Sequence, residues 1–174
     1  MPANLHWDFD SLIVDDEPHV RELLADYLRG RGLTVATAHD GRAAVAALER
    51  SAGRYGLVVT DINMPGADGF EVLRAARAVN ASAYVVIVTG YASLDSAIQA
   101  VRLGAHDYLT KPFSLGQIDV ILKRVSDRVA LERENRELMT RSTANSLSWL
   151  GGQLDAIGHR LARIEALLAT DQRH

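Results

Sequence analysis

The sequence predicts an α/β fold: a doubly wound, five-stranded parallel sheet in strand order 2-1-3-4-5, followed by a C-terminal helical extension that is a coiled coil or a hairpin. Three observations predict it. Short runs rich in β-branched residues alternate with stretches of helical periodicity, as in successive βα units. Charged residues stand at the ends of three of these runs: Asp15-Asp16-Glu17 after 11–14, Asp61 after 57–60, and Lys111-Pro112 after 107–110. Near the C-terminus, Leu147, Leu150, Leu154, Ile157, Leu161, Ile164 and Leu168 follow an unbroken alternation of three- and four-residue steps, an a/d seam.

The elements follow in order. A first strand at 12–14 leads to a helix starting near Pro18, with Val20, Leu23, Leu24, Tyr27 and Leu28 on one face. Proline suits a first helical turn, because its missing N–H would have no partner there. Gly30 and Gly32 end that helix. A second strand at 34–37 precedes a helix over 41–50 with Ala44, Val45 and Leu48 inward. The third strand, 57–60, precedes a helix over 69–79 with Phe70, Val72, Leu73 and Ala76 inward. The fourth strand, 84–89, precedes a helix over 93–103 with Leu94, Ala97, Ile98 and Val101 inward, closed by Gly104. A fifth strand at 107–109 precedes a longer helix, from about Leu115 to Met139. Ile118, Ile121, Leu122 and Val125 should pack on the sheet, with Leu131 and Leu138 beyond it.

In such a sheet the carboxyl ends of the strands face one crevice. Asp15, Asp16, Asp61 and Lys111 should therefore meet at one point. Three carboxylates repel each other there unless a cation joins them, which is the chemistry of a divalent metal holding a phosphoryl group. His6, His19, His39 and His106 show no metal-ligand spacing and read as surface residues; Trp7 reads as a cover for an edge of the core.

Composition narrows the classes. The 174 residues suffice for one ordinary domain plus an extension, read as 1–125 and 126–174. Cysteine is absent, which excludes disulfides and thiolate chemistry. A net charge of −3 offers no bulk attraction to nucleic acid or anionic lipid. No apolar stretch approaches the ~20 residues of a membrane span, and residues 1–10 lack the regions of a signal peptide. A cytoplasmic protein is expected.

The set Asp15-Asp16, Asp61 followed by Met64-Pro65-Gly66 and Asp68-Gly69, then Thr89-Gly90, then Lys111-Pro112-Phe113 resembles the receiver domain of two-component response regulators. The resemblance covers about residues 8–125. The stretches 88–92 and 104–113 are most similar to receivers of the σ54-activator, nitrogen-regulation type. It implies a flavodoxin-like fold, with Asp61 as phosphoacceptor for a sensor histidine kinase. Mg²⁺ would be held by Asp16 and Asp61 directly, by Asp15 through water, and by the Asn63 backbone carbonyl. Lys111 and Thr89 would contact phosphoryl oxygens, and Tyr108 would be the switch aromatic. The Lys111-Pro112 peptide would be cis. Asn63 and Tyr91 would flank the path of attacking water, and bulky Tyr91 would slow autodephosphorylation. The only chemistry implied is the chain's own phosphorylation and dephosphorylation. A dehalogenase-type phosphatase also uses an aspartate after a strand, but it needs an acid two residues later, and position 63 is Asn.

The C-terminal third has no Walker motif, and its acidic and basic residues nearly balance, unlike a recognition helix. A homodimer through this segment is expected, with Leu131, Asn135 and Leu138 forming an upstream seam and 140–146 a turn. Gly151-Gly152 weakens the second helix, and His159 reads as solvent-facing beside its seam. A docking surface for a protein target is the expected output. The alternative is that these helices bind DNA directly.

Overall fold

A computed structural model describes residues 7–140 and Trp149. Five strands, β1 (Asp10–Val14), β2 (Thr34–Ala38), β3 (Tyr55–Thr60), β4 (Tyr84–Thr89) and β5 (Asp107–Thr110), form one sheet in the order β2-β1-β3-β4-β5. Every pairing is parallel. Helices α1 (Pro18–Arg29), α2 (Gly41–Arg50), α3 (Gly69–Val79) and α4 (Leu94–Arg102) connect them, and α5 covers 115–140. The fold is the doubly wound, flavodoxin-like one that the motif order predicts.

Local chemistry sets the helix starts. Pro18 occupies the first turn of α1. Asp40 caps α2 by accepting from the Ala43 N–H, and Asp68 with Glu71 forms a reciprocal capping box on α3. Ser93 and Ser96 form a second box on α4. Period-2 alternation then sorts the strand residues to two faces. Leu12, Val14, Val58, Val85 and Ile87 join a core with Ala44 and Leu48 of α2 and Phe70, Val72, Leu73 and Ala76 of α3. The alternate residues Ile13, Leu57, Val59, Val86 and Val88 are also buried, as are Leu24, Ala25 and Leu28 of α1 and Ile118, Ile121, Leu122 and Val125 of α5. An Arg31–Asp119 hydrogen bond of 3.2 Å ties the turn that follows α1 to α5.

Three expectations need correction. On α4, Leu94, Ile98 and Val101 point outward, at 78%, 42% and 71% exposure, and Ala100 is the residue buried. Only the small side chain of Ala100 is fully buried among Leu94–Arg102, and the large aliphatics turn to solvent. On α1, Leu23 is half exposed and Ala25 is buried in its place. His106 is not a surface residue. Its Nδ1 accepts from the Val85 N–H at 3.2 Å and its ring stacks on Tyr84. The Trp7 indole N–H donates to the Arg31 carbonyl, and its ring meets Phe9 edge-on.

The chain divides into two compact units, Met1–Ser126 and Asp127–His174. Among the described residues of the second, Arg128 pairs with Glu132 one helical turn on, and Leu131, Leu138 and Met139 are exposed. The 147–168 seam, Gly151-Gly152 and His159 lie outside the described residues, as does His6. Among the described residues no helix is long and apolar enough to cross a membrane.

Candidate functional site

Strand register builds the site. Val14 of β1 pairs with Thr60 of β3, so the next residues, Asp15 and Asp61, leave adjacent strands side by side. The Asp61 N–H donates to the Val14 carbonyl at 2.9 Å, which holds the two ends together. On the other side, Thr89 of β4 pairs with Thr110 of β5, and the Lys111 N–H donates to the Thr89 carbonyl at 2.8 Å. Four sequence-distant groups thus share one crevice. A Cβ added to Gly69 would lie 2.1 Å from the Asp61 carbonyl oxygen, so only glycine lets α3 begin this close to β3.

Oxygens of Asp15, Asp16 and Asp61 all lie within 4.8 Å of one another. Asp15 and Asp61 are buried; Asp16 is exposed. One Asp15 oxygen accepts from the Glu17 N–H at 2.9 Å, and one Asp61 oxygen accepts from the Asn63 N–H at 3.1 Å. Their second oxygens meet Lys111 Nζ at 2.9 and 2.8 Å, and Glu17 Oε1 lies 2.8 Å from the same nitrogen.

The charges do not balance. Three carboxylates contact one ammonium, and the Asp16 carboxylate is clustered with two of them. Burial pushes the Asp15 carboxyl above its ordinary range, and Lys111 offsets only part of that. Burial alone would weaken the proton's hold on Lys111. The carboxylates of Asp61, Glu17 and Asp15 outweigh it and raise the ammonium well above the ordinary lysine range. Since the folded value is the raised one, the stabilisation from Lys111 is present below that ordinary range for as long as its carboxylate partners stay ionised. On the alkaline side it is lost as pH climbs through the folded value. Lys111 lowers the exposed Glu17 carboxyl by hydrogen bonding. A hard divalent cation fits this excess of carboxylate oxygen. Mg²⁺ takes one or two carboxylates and keeps several waters, matching two buried aspartates beside an exposed one.

The other motif residues line the same crevice. Thr89 is fully buried, and its Oγ1 accepts from the Tyr91 N–H at 3.2 Å. Nothing lies within 4 Å of a Cβ built on Gly90, which leaves the mouth open, and Tyr91 beyond it is 81% exposed. The Lys111-Pro112 peptide is cis. Tyr108 pairs with Ile87 across the sheet, and its partly buried ring packs against the core.

Residues 11–123 match the response regulator receiver domain family. The chain belongs to that family. This receiver is 39% identical over 127 residues to the C4-dicarboxylate transport transcriptional regulatory protein DctD of Pseudomonas aeruginosa, covering 73% of this chain and 27% of that one. It is 37% identical over 131 residues to the nitrogen assimilation regulatory protein NtrX of Azorhizobium caulinodans, covering 74% of this chain and 28% of that one. Among solved structures, a CheY-like response regulator receiver domain protein from Methanospirillum hungatei JF-1 superposes with a TM-score of 0.66 at 27% identity, over 71% of this chain and 98% of that one. The chain spans about a quarter of the length of the two curated relatives.

Two residues of the receiver's site escape a motif reading. Glu17 is the third carboxylate on Lys111. Arg21 donates to the Asp15 carbonyl at 2.7 Å from the second turn of α1. Glu17 follows the acidic pair directly, and its sign was the available signal. The receiver motif itself gives it no role.

Proposed function

We propose that this chain is a phosphorylation-controlled switch in a two-component pathway. Asp61 receives a phosphoryl group from a sensor histidine kinase. A carboxylate oxygen attacks phosphorus, the phosphorus–nitrogen bond to the kinase imidazole breaks, and the imidazole leaves with that electron pair. The bond from the Asn63 N–H orients the Asp61 carboxylate. Lys111 is a point cation for a phosphoryl oxygen, and Thr89 a hydrogen-bond donor to another. Asp15, Asp16, Asp61 and the Asn63 carbonyl would hold Mg²⁺. When bound, the ion neutralises charge gathering on the transferring group. The observation that carries this reading is the buried Asp61 carboxylate, 2.8 Å from Lys111 and clustered with Asp15 and Asp16. The receiver's catalytic role is limited to its own phosphorylation and dephosphorylation.

The test is Asp16→Ala. The Asp16 side chain is exposed, and no hydrogen bond or ion pair of it is recorded among the described residues. The variant should keep its unfolding free energy within about 0.5 kcal/mol, as surface changes do. It should nevertheless lose Mg²⁺-dependent labelling by acetyl phosphate. Labelling at the wild-type rate would remove Asp16 from the metal set.

The signal passes from Thr89 to Tyr108 as a shift between two populated states. Output goes through the C-terminal segment, 126–174, as a homodimer or a dock for a protein target. Exposed Leu131 and Leu138, one heptad apart, support that reading. Sedimentation should find the full chain dimeric at micromolar concentration and a chain ending near Val125 monomeric, or only weakly dimeric until phosphorylated. A monomeric full chain would contradict the seam. If the helices instead bind DNA, affinity for random duplex should fall steeply with salt. A cytoplasmic location accords with this role.

A further inference from the structure

The hydroxyl of Tyr108 has a partner that no sequence motif points to. It lies 2.8 Å from Ser96 Oγ, in the first turn of α4. Ser96 Oγ is also the hub of the cap that starts this helix. It donates to the Ser93 carbonyl at 2.9 Å and accepts from the Ser93 N–H at 3.1 Å. It also lies 2.9 Å from Ser93 Oγ, which in turn accepts from the Ser96 N–H at 3.0 Å. Both hydroxyls rotate, so either oxygen can donate in the Tyr108 bond.

Two routes from the phosphorylation site therefore converge on one serine. By chain, Ser93 follows Thr89 after the short segment Gly90-Tyr91-Ala92. Through space, Tyr108 stands on β5 opposite Ile87, two residues before Thr89 on β4. A ring that leaves its present setting must give up its bond to Ser96. That changes the hydrogen bonding of the α4 cap in the same event. Helix α4 is poorly anchored for its length, with Ala100 its one fully buried residue among Leu94–Arg102. A change at its first turn is therefore opposed by little packing.

We propose that Ser96 is a positioning residue for the switch: it holds Tyr108 in the unphosphorylated setting and couples the ring's departure to the start of α4. The proposal rests on the reading of Tyr108 as the residue that moves on phosphorylation. Deleting the bond from either side should release the ring. Ser96→Ala removes the serine hydroxyl but keeps the Ser93 side-chain cap. Tyr108→Phe removes the phenol hydroxyl but leaves both serines intact.

The test is the affinity of the full chain for beryllofluoride with Mg²⁺, alongside ¹⁹F spectra of 3-fluorotyrosine-labelled protein. The Tyr108 resonance is assigned by its loss in Tyr108→Phe. A ligand that selects the minor state binds more tightly when that state is released. Ser96→Ala and Tyr108→Phe should each tighten beryllofluoride binding by about fivefold, the scale of one net hydroxyl hydrogen bond. The double variant should gain no more than either alone, and Ser96→Thr should return to wild type. In Ser96→Ala the Tyr108 resonance should already lie toward its loaded position before any ligand is added. Affinities within twofold of wild type in both single variants, with a Tyr108 resonance that does move on loading, would overturn the role of Ser96 alone. A wild-type resonance that does not move on loading would overturn the switch reading and this proposal with it.

Discussion

Asp61→Asn is expected to take no phosphoryl group from acetyl phosphate or from a kinase phosphohistidine. An amide oxygen is not a carboxylate nucleophile. Of the other carboxylates on Lys111, Asp15 is the more deeply buried, its side chain 2% exposed against 7% for Asp61, and Glu17 is largely exposed. The fold should persist. The Asn side-chain oxygen can still accept from the Asn63 N–H, as one Asp61 oxygen does at 3.1 Å. Removing one carboxylate also relieves a crowded set of like charges. Radiolabel incorporation checks the first statement, and a circular dichroism melt checks the second. Full labelling of a folded Asp61→Asn chain would place the acceptor elsewhere.

Lys111→Ala should have the largest effect on stability, and its size should depend on metal. Lys111 Nζ is the cation within hydrogen-bond reach of Asp15, Asp61 and Glu17. Taking away one partner of a buried charged set typically costs about 3–5 kcal/mol, because the remaining charge is left uncompensated. Urea unfolding in chelator should therefore show a loss of about 3 kcal/mol. Millimolar Mg²⁺ should recover much of it, since a divalent ion bound among the same carboxylates supplies the missing charge. The wild type should respond less, because its ammonium already occupies that role. The variant should also fail to pass the signal on, having lost the cation proposed to contact the phosphoryl oxygen. A Lys111→Ala chain as stable as wild type in chelator would contradict the reading of Lys111 as the charge that compensates these carboxylates.

The sheet was legible because its signals are local and redundant. Strand β4 is six consecutive buried residues, Tyr84–Thr89, and no amphipathic helix fits that run. Helices α2 and α3 begin where Asp40 and Asp68 cap them. The crevice was legible because parallel strands must end together, which places Asp15, Asp61 and Lys111 without any knowledge of contacts. The orientation of α4 was not. Periodicity shows that Leu94, Ile98 and Val101 share a face, but it carries no information on which way that face turns. Only the small side chain of Ala100 is fully buried there, and the large ones turn outward. His106 was misread for a related reason. Its Nδ1 binds a backbone N–H of the neighbouring strand, a contact that exists only once β4 and β5 are paired. The bond between Ser96 and Tyr108 likewise exists only once β5 is set beside the start of α4.

The central claim is that Asp61 carries the signal as an acyl phosphate formed in a metal-dependent site. Acetyl phosphate treatment of the full chain, borohydride reduction and peptide mass mapping test it directly, because reduction converts a phosphorylated aspartate to homoserine. The account predicts homoserine at position 61 alone, formed with Mg²⁺ and absent in chelator. Homoserine at another aspartate, or at position 61 to the same extent without a divalent ion, would contradict it.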